Sequence, residues 1–370
     1  MREYLLSMLV AAATTFLLTG LVRRIGIRFG VLTEVRDRDV HVMPIPRLGG
    51  IAMLAGLAVG LLFASQFPFI QFVFARSNDA QALLTGGALI CLIGVIDDKW
   101  GIDAVTKLAG QVLVAGVMVV QGVTFYWIPL PGTTYVLSPA QGTLLTILVI
   151  VGTMNAVNMV DGLDGLAAGV VGIGAAATFA YTYLLSVGQS FDLATPPALI
   201  SVVLCGVCLG FLPHNFSPAR VFMGDSGALL IGLLLAASSI TLTGQFPPGA
   251  VPDGQNLLLV LLPLVLPVAV LAVPLLDLLL AVVRRTRAGR SPFSADKLHL
   301  HHRLLELGHS HSRAVLLMYG WSATVAFGAV TVSLLQGWTV RVAAVAALAL
   351  LTFATVVLPR IESGVRARRG

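Results

Sequence analysis

The chain has 370 residues, of which 57% are hydrophobic and only 11% are charged. Its mean hydropathy is +0.93, whereas soluble globular domains carry about 25% charged residues. This composition excludes a soluble domain. The net charge is +6. Basic residues in a chain this apolar mainly mark its orientation in a membrane, and they also suit anionic lipid or a phosphorylated substrate. No nucleic acid partner is needed to explain them.

Apolar runs of about 20 residues, the length that crosses a bilayer core, recur along the whole chain. They are continuous rather than alternating, which favours helices over a transmembrane barrel. We therefore predict an all-α, polytopic membrane protein with about eleven transmembrane helices in one domain over residues 1–370. In chain order the predicted spans are 4–22, 48–66, 80–96, 104–122, 140–156, 165–187, 197–213, 226–243, 256–283, 314–336 and 339–358.

The basic residues predict the orientation of the chain in the membrane. When the loops are assigned to alternate sides, all of the 23 Lys and Arg fall on one side except Arg2, Arg76 and Arg341. Short basic loops stay in the cytoplasm. The N-terminus is therefore expected outside and the C-terminus in the cytoplasm.

Clusters of acids, amides and histidines fall in five loops on this same side: 23–47, 97–107, 155–165, 214–227 and 284–313. Ionisable groups at a membrane boundary lose hydration, and they persist where they bind a cation, a proton or a substrate. This favours an interfacial enzyme. An ion-coupled transporter is the alternative from another class, but it would place polar groups near the midplane and often shows a repeated half.

Asp97 and Asp98 lie directly after the third predicted span, and Lys107 lies near the start of the fourth. The lysine can supply a compact positive charge to a phosphate. The alternative is a polar loop whose lysine extends to the interface.

Asn155, Asn158, Asp161 and Asp164 recur at every third residue. Each step turns about 60° on a helix, so only neighbouring members share a face. Oxygen ligands of this kind suit Mg²⁺, which keeps several waters and uses one or two carboxylates with substrate phosphates. Helix capping by Asp161 alone would not account for four such residues.

The stretch from Asn215 to Asp225 precedes the eighth apolar run. Asp225 lies in the sequence GDSG, and a helix that begins there could hold a phosphate and its metal or could simply be capped. Upstream, the Asn215 amide and the Phe222 ring are groups that could hold a base.

The loop 284–313 contains His299, His301, His302 and Arg303. The spacing of the histidines is weak support for zinc. Imidazole and guanidinium groups that bind a diphosphate or sugar are the preferred interpretation, and a solvated basic loop is the alternative.

Five ordered motifs carry a family resemblance: PIPRLGG, DDKWGIDAVTKLAGQ, NAVNMVDGLDGLAAG, HNFSPARVFMGDSGALLIG and SADKLHLHHRLLELG. They resemble the polyprenyl-phosphate N-acetylhexosamine-1-phosphate transferases. HLHHRLLELG is similar to the branch that uses UDP-GlcNAc. The phospho-N-acetylmuramoyl-pentapeptide transferases, the alternative within the family, carry three consecutive histidines instead.

The resemblance implies transfer of GlcNAc-1-phosphate from UDP-GlcNAc to an undecaprenyl or decaprenyl phosphate at the cytoplasmic face of the bacterial inner membrane, releasing UMP. This would be the first membrane step of a cell-envelope glycan. The cofactor would be Mg²⁺, with Mn²⁺ as a substitute, and a homodimer is possible.

The resemblance also implies roles for residues at the matching motif positions. The metal ligands would be Asp225 and Asn158. The groups around donor and sugar would be Asn215, Phe222, Asn155, Asp164, Arg303 and His299. The catalytic set would be Asp97, Asp98, Lys107, Asp161, Asp164, His301 and His302, one of the paired acids being a candidate base.

Overall fold

The computed structural model describes residues 1–31, 44–130, 133–188, 195–245, 257–287 and 311–356, apart from 69, 72, 73, 75, 76 and 336. Over these residues the chain forms eleven helices of 16 or more residues and one two-stranded hairpin. The helices are α1 Arg2–Arg28, α2 Gly49–Ala64, α3 Asp79–Trp100, α4 Ala104–Val120, α5 Pro139–Val160, α6 Leu166–Gly188, α7 Thr195–Asn215, α8 Gly224–Gln245, α9 Leu257–Arg287, α10 His311–Leu334 and α11 Trp338–Val356; the strands are β1 Trp127–Leu130 and β2 Thr133–Val136.

Each predicted span coincides with one helix, so the prediction of an all-α polytopic membrane protein is confirmed. In the described part of the chain, seven helices are long and apolar enough to cross a membrane. Helices α2, α4, α9 and α11 contain shorter apolar stretches. The weakest predicted span, 140–156, lies within α5.

Helix α8 is the most deeply buried helix of the bundle. It is apolar on all sides, as a helix surrounded by other helices must be, and it packs against α2, α3, α5, α7 and α9. Gly232 permits the close approach of α5, because a Cβ there would lie 2.7 Å from the Cα of Met154. The first turn of α8 lies against the start of α2 and the end of α3, because a Cβ on Gly50 would overlap the Gly227 nitrogen and one on Gly94 would overlap Ser226.

Helix α1 packs between α2 and α7 through small residues. A Cβ on Gly60 of α2 would lie 2.9 Å from the Cβ of Ala11, and one on Gly210 of α7 would overlap the backbone of Ala12. Helices in membranes associate by this kind of close backbone packing, because lipid provides little hydrophobic drive.

The hairpin between α4 and α5 was not predicted from the sequence. Its strands pair antiparallel with Trp127 opposite Val136, and Trp127 is buried. The segment before β1 is tied to α5, because the Phe125 N–H donates to Thr146 Oγ1 at 3.0 Å. The hairpin lies at the Val120 end of α4, and the described parts of the polar loops 23–47, 97–107, 155–165 and 214–227 meet at the opposite, Ala104 end.

Candidate functional site

Lys107 joins the two most prominent acidic motifs of the sequence. Its Nζ lies 2.8 Å from Asp97 Oδ2 and forms a second ion pair with Asp225 Oδ2. The side chains of Lys107, Asp97 and Asp225 are only 17%, 14% and 28% exposed. Charges that are this far from bulk water are weakly screened, so the cluster provides a strong local field.

The turn between α3 and α4 holds Lys107 in place. Gly101 has φ +68°, a left-handed conformation that glycine adopts without strain, and the Ile102 N–H donates to Asp97 Oδ1 at 2.8 Å. Asp103 then caps α4 by accepting from the N–H groups of Val105 and Thr106, each at 3.0 Å. The Thr106 hydroxyl and N–H hold the pKa of the Asp103 carboxyl below its usual range.

Asp98 contacts a different element from its neighbour Asp97. Its Oδ1 accepts the N–H of Asp225 at 2.9 Å, and its Oδ2 accepts the N–H of Ser226 at 3.2 Å. These are backbone groups of the first turn of α8, which would otherwise lack partners. The paired acids therefore connect α3 to both α4 and α8.

Asp161 follows the last residue of α5 and is half-buried. Loss of hydration, and then the negative charge of Asp98, raises the pKa of the Asp161 carboxyl to about 7; Arg47 opposes the shift and Asp164 adds to it. Asp161 is therefore within electrostatic reach of Asp98, Arg47 and Asp164.

Asp164 and Asn215 tie the loop after α5 to the loop after α7. Asp164 Oδ2 accepts the Ala219 N–H at 3.0 Å. Asn215 is 1% exposed; its Oδ1 accepts the Gly165 N–H at 3.1 Å, and its Nδ2 donates to the Val221 carbonyl at 3.0 Å. The geometry gives Asn215 a positioning role, and its direct contact with uracil stays a prediction.

Phe222 is half-buried and lies in an extended segment that pairs with the start of α2. The Phe222 N–H donates to the Pro46 carbonyl at 2.8 Å, and the Gly49 N–H donates back to the Phe222 carbonyl at 3.1 Å. The motifs PIPRLGG and RVFMGDSG are thus brought together. Stacking of a base on Phe222 stays a prediction.

Asn155 lies on α5, one turn before Asn158, and is bonded to α4. Its Nδ2 donates to Gln111 Oε1 at 2.6 Å, and Gln111 Nε2 donates to Asn155 Oδ1 at 3.4 Å. Gln111 is 1% exposed. This amide pair sets the register of α4 against α5. Lys107 lies one turn before Gln111 and Asn158 lies one turn after Asn155, so both are at the same end of the two helices.

Part of the predicted site lies outside the described residues: His299, His301, His302, Arg303 and residues 32–43. Their predicted roles stay predictions. Two residues inside quoted motifs, Arg47 and Gln111, were given no role from the sequence, yet Arg47 acts electrostatically on Asp161. Both are polar residues within otherwise apolar or glycine-rich motifs, and this polarity could have identified them from the sequence.

The donor set fits Mg²⁺ chemically. Carboxylate oxygens from Asp225 and Asp161 and the Asn158 amide oxygen are hard ligands. Among the described residues, no three His, Cys, Asp or Glu form a preformed metal cluster.

Fold and site together define a polytopic membrane enzyme with a charged, lysine-paired centre at one end of its helical bundle. Residues 80–243 match the family model described as glycosyl transferase family 4.

Several curated proteins are similar over most of the chain. It is 49% identical over 333 residues to the decaprenyl-phosphate N-acetylglucosaminephosphotransferase of Mycolicibacterium smegmatis, covering 89% of this chain and 82% of that one. It is 31% identical to the probable undecaprenyl-phosphate N-acetylglucosaminyl 1-phosphate transferase of Bacillus subtilis, over 86% and 82% of the two chains. Identity to the phospho-N-acetylmuramoyl-pentapeptide-transferase of Mycobacterium bovis is 29%, over 65% and 77%.

The chain belongs to glycosyl transferase family 4, among its polyprenyl-phosphate N-acetylhexosamine-1-phosphate transferases. The predicted family and its N-acetylglucosamine branch are confirmed.

Proposed function

We propose that this protein transfers N-acetylglucosamine 1-phosphate from UDP-GlcNAc to a membrane polyprenyl phosphate. An oxygen of the acceptor phosphate forms a bond to the β-phosphorus of the donor. The bond from that phosphorus to the bridging oxygen breaks, and UMP leaves with the electron pair. The products are polyprenyl-diphosphate-GlcNAc and UMP.

The names of the Mycolicibacterium and Bacillus relatives support the sugar phosphate and the polyprenyl acceptor. The pentapeptide transferase matches less of the chain at lower identity. The observation that carries the mechanism is the ion-paired cluster of Asp97, Lys107 and Asp225.

The chief obstacle to this reaction is repulsion between two anions. A phosphate monoester has a second pKa of about 6 and is largely ionised near pH 7, so the acceptor needs little help from a base. Lys107 can move from a carboxylate to a phosphate oxygen, and Arg47 lies near enough to act on the charge of Asp161. Positioned cations of this kind stabilise negative charge that develops on a leaving group.

Asp225 and Asn158 would hold Mg²⁺, with Asp161 close by. When bound, the ion would neutralise the diphosphate and polarise the phosphorus that is attacked. The chain would keep Asp225 aimed at this point through the first turn of α8 and through Lys107.

The two substrates require a site at the membrane surface, because one is water-soluble and the other is a long isoprenoid. Helix α4 provides apolar surface beside Lys107, with Val105 76% exposed and Leu108 48% exposed. We place this end of the bundle at the cytoplasmic face of the plasma membrane, on the basis of the positive charge of its loops.

The proposal is tested with purified protein in detergent, UDP-GlcNAc and undecaprenyl or decaprenyl phosphate. UMP should appear only when the donor, the lipid acceptor and Mg²⁺ or Mn²⁺ are all present, and EDTA should stop its release. UDP-MurNAc-pentapeptide serves as the alternative donor. Turnover with that donor and none with UDP-GlcNAc would overturn the proposed specificity.

A further inference from the structure

We propose that Asp98 is a positioning residue that caps helix α8 from helix α3, and that it does not act as a base in the reaction. The cap fixes the first turn of α8 and with it Asp225. The structural part of this inference stands by itself, and its catalytic consequence rests on the proposed function.

The first turn of α8 has no capping side chain of its own. Met223, the residue before the helix, carries no hydrogen-bonding cap, and the Ser226 hydroxyl donates to the Met223 carbonyl at 3.2 Å. The Asp225 carboxylate is turned to Lys107. Helices normally begin with Ser, Thr, Asp or Asn, whose oxygen accepts from an N–H of the first turn. Asp98 performs this function from another helix, with one oxygen on each of two successive N–H groups.

Charge favours the same arrangement. A helix N-terminus carries about half a positive charge, so a carboxylate beside it is stabilised. Charge-assisted hydrogen bonds to backbone N–H groups are also stronger than neutral ones. Both oxygens of Asp98 are therefore held in place by α8.

Two glycines permit this contact. A Cβ on Gly94, one turn before Asp98 on α3, would overlap the backbone of Ser226. Gly224 has φ +67°, and a Cβ there would overlap both the Arg47 carbonyl and the Asp98 carboxylate. Helices α3 and α8 can therefore come this close only because both positions are glycine.

The two neighbouring acids consequently differ in what they can do. Asp97 bonds Lys107 and the Ile102 N–H. Asp98 could accept a proton only by weakening its bonds to α8. That would free Asp225, the proposed metal ligand, from its position. An acceptor phosphate that is already ionised gives no reason for that loss.

Substitutions of Asp98 distinguish a role as helix cap from a role as catalytic base. Asn keeps one of the two acceptor oxygens and is a good capping residue, but it cannot act as a base, whereas Glu keeps a carboxylate but carries it one methylene too far. We expect Asp98→Asn to keep kcat/KM within about tenfold of the original with an unchanged pH profile, and Asp98→Glu to be the less active variant. For a base, the order would be reversed, with Asp98→Asn losing about 10²–10⁴-fold.

Hydrogen exchange provides a readout that needs no turnover. In Asp98→Ala, the amides of Asp225 and Ser226 should exchange at least about tenfold faster than in the original protein, because their acceptor is gone. Asp97→Asn is the matched control, since Asp97 does not bond the α8 backbone, and it should leave those amides unchanged. Unchanged exchange in Asp98→Ala would overturn the cap, whereas a wild-type protein without transferase activity would overturn only the proposed function.

Discussion

Lys107 forms ion pairs with two carboxylates, so its removal should leave both of them without this partner. We expect Lys107→Ala to lower kcat/KM by at least about 100-fold, or about 2.7 kcal/mol. Lys99→Ala is the matched control: Lys99 lies in the same stretch but is exposed and 4.5 Å from the ring centroid of Trp100. Initial rates of UMP release measure both. Equal losses in the two variants would contradict a specific role for Lys107.

Asp161 should make the stability of the metal-free protein depend on pH. Its pKa is about 7 in the fold, against an ordinary value of 3.8. Between these values the folded protein retains a proton that the unfolded chain has lost, so stability falls as the pH rises from about 4 to about 7 and then levels off. Asp161→Asn removes this dependence.

Melting temperatures in detergent with EDTA, at pH 5, 6, 7 and 8, measure the effect. The difference between the original protein and Asp161→Asn isolates Asp161 from other titrating groups. The variant should gain stability relative to the original as the pH rises to about 7. A difference that stays constant with pH would show that Asp161 titrates normally.

The polar residues of the site could be predicted one by one, whereas their pairing could not. Asp97, Lys107 and Asp225 are conspicuous because hydration is lost at a membrane boundary. Sequence spacing cannot show that Lys107 reaches an acid 118 residues away. Nor could it show that Asn215 is buried, since a polar residue at the end of a helix is usually expected to face a ligand or solvent.

At the scale of helices, the Gln111–Asn155 pair fixes α4 against α5. We expect Gln111→Ala and Asn155→Ala each to lower kcat/KM by about tenfold, with a double variant no worse than either alone, because both break one interaction. Gln121→Ala is the control at the opposite end of the helix, where Gln121 donates to Thr85 at 2.7 Å. Kinetics of the four variants measure the coupling. Additive losses would show that the pair does not act as a unit.

The helices could be predicted because each is a long apolar run, and Gly and Asp residues mark several of the ends. Gly101 and Asp103 separate α3 from α4 in this way. The hairpin was missed because its strands are four residues each and lie between two apolar spans. A search for spans of bilayer length passes over elements of that size.

At the scale of the whole molecule, the orientation in the membrane stays a prediction that labelling can test. The three native cysteines, Cys91, Cys205 and Cys208, are buried, so they should react little with a thiol reagent. A membrane-impermeant thiol reagent added to right-side-out vesicles should label Tyr135→Cys in the hairpin. It should label Val105→Cys, at the site end, only after the membrane is opened. The reverse pattern would place the site outside.

Five polar loops were predicted to share one side of the membrane, and the described residues of four of them meet at one end of the bundle. The arrangement of the helices was not predicted, because an apolar run looks much the same whether it faces lipid or protein. Helix α8 is enclosed on all sides, whereas α11 is largely exposed; both are simply apolar in sequence.

In the proposed reaction, the β-phosphorus of the donor moves to the lipid together with the sugar. Purified protein is given UDP-GlcNAc carrying radioactive phosphorus in the β-position, with polyprenyl phosphate and Mg²⁺, and the products are partitioned between butanol and water. The label should enter the lipid phase, and unlabelled UMP should remain in the water. Label recovered in the aqueous phase as UDP would mean that the sugar moves without its phosphate, and the proposed reaction would be wrong.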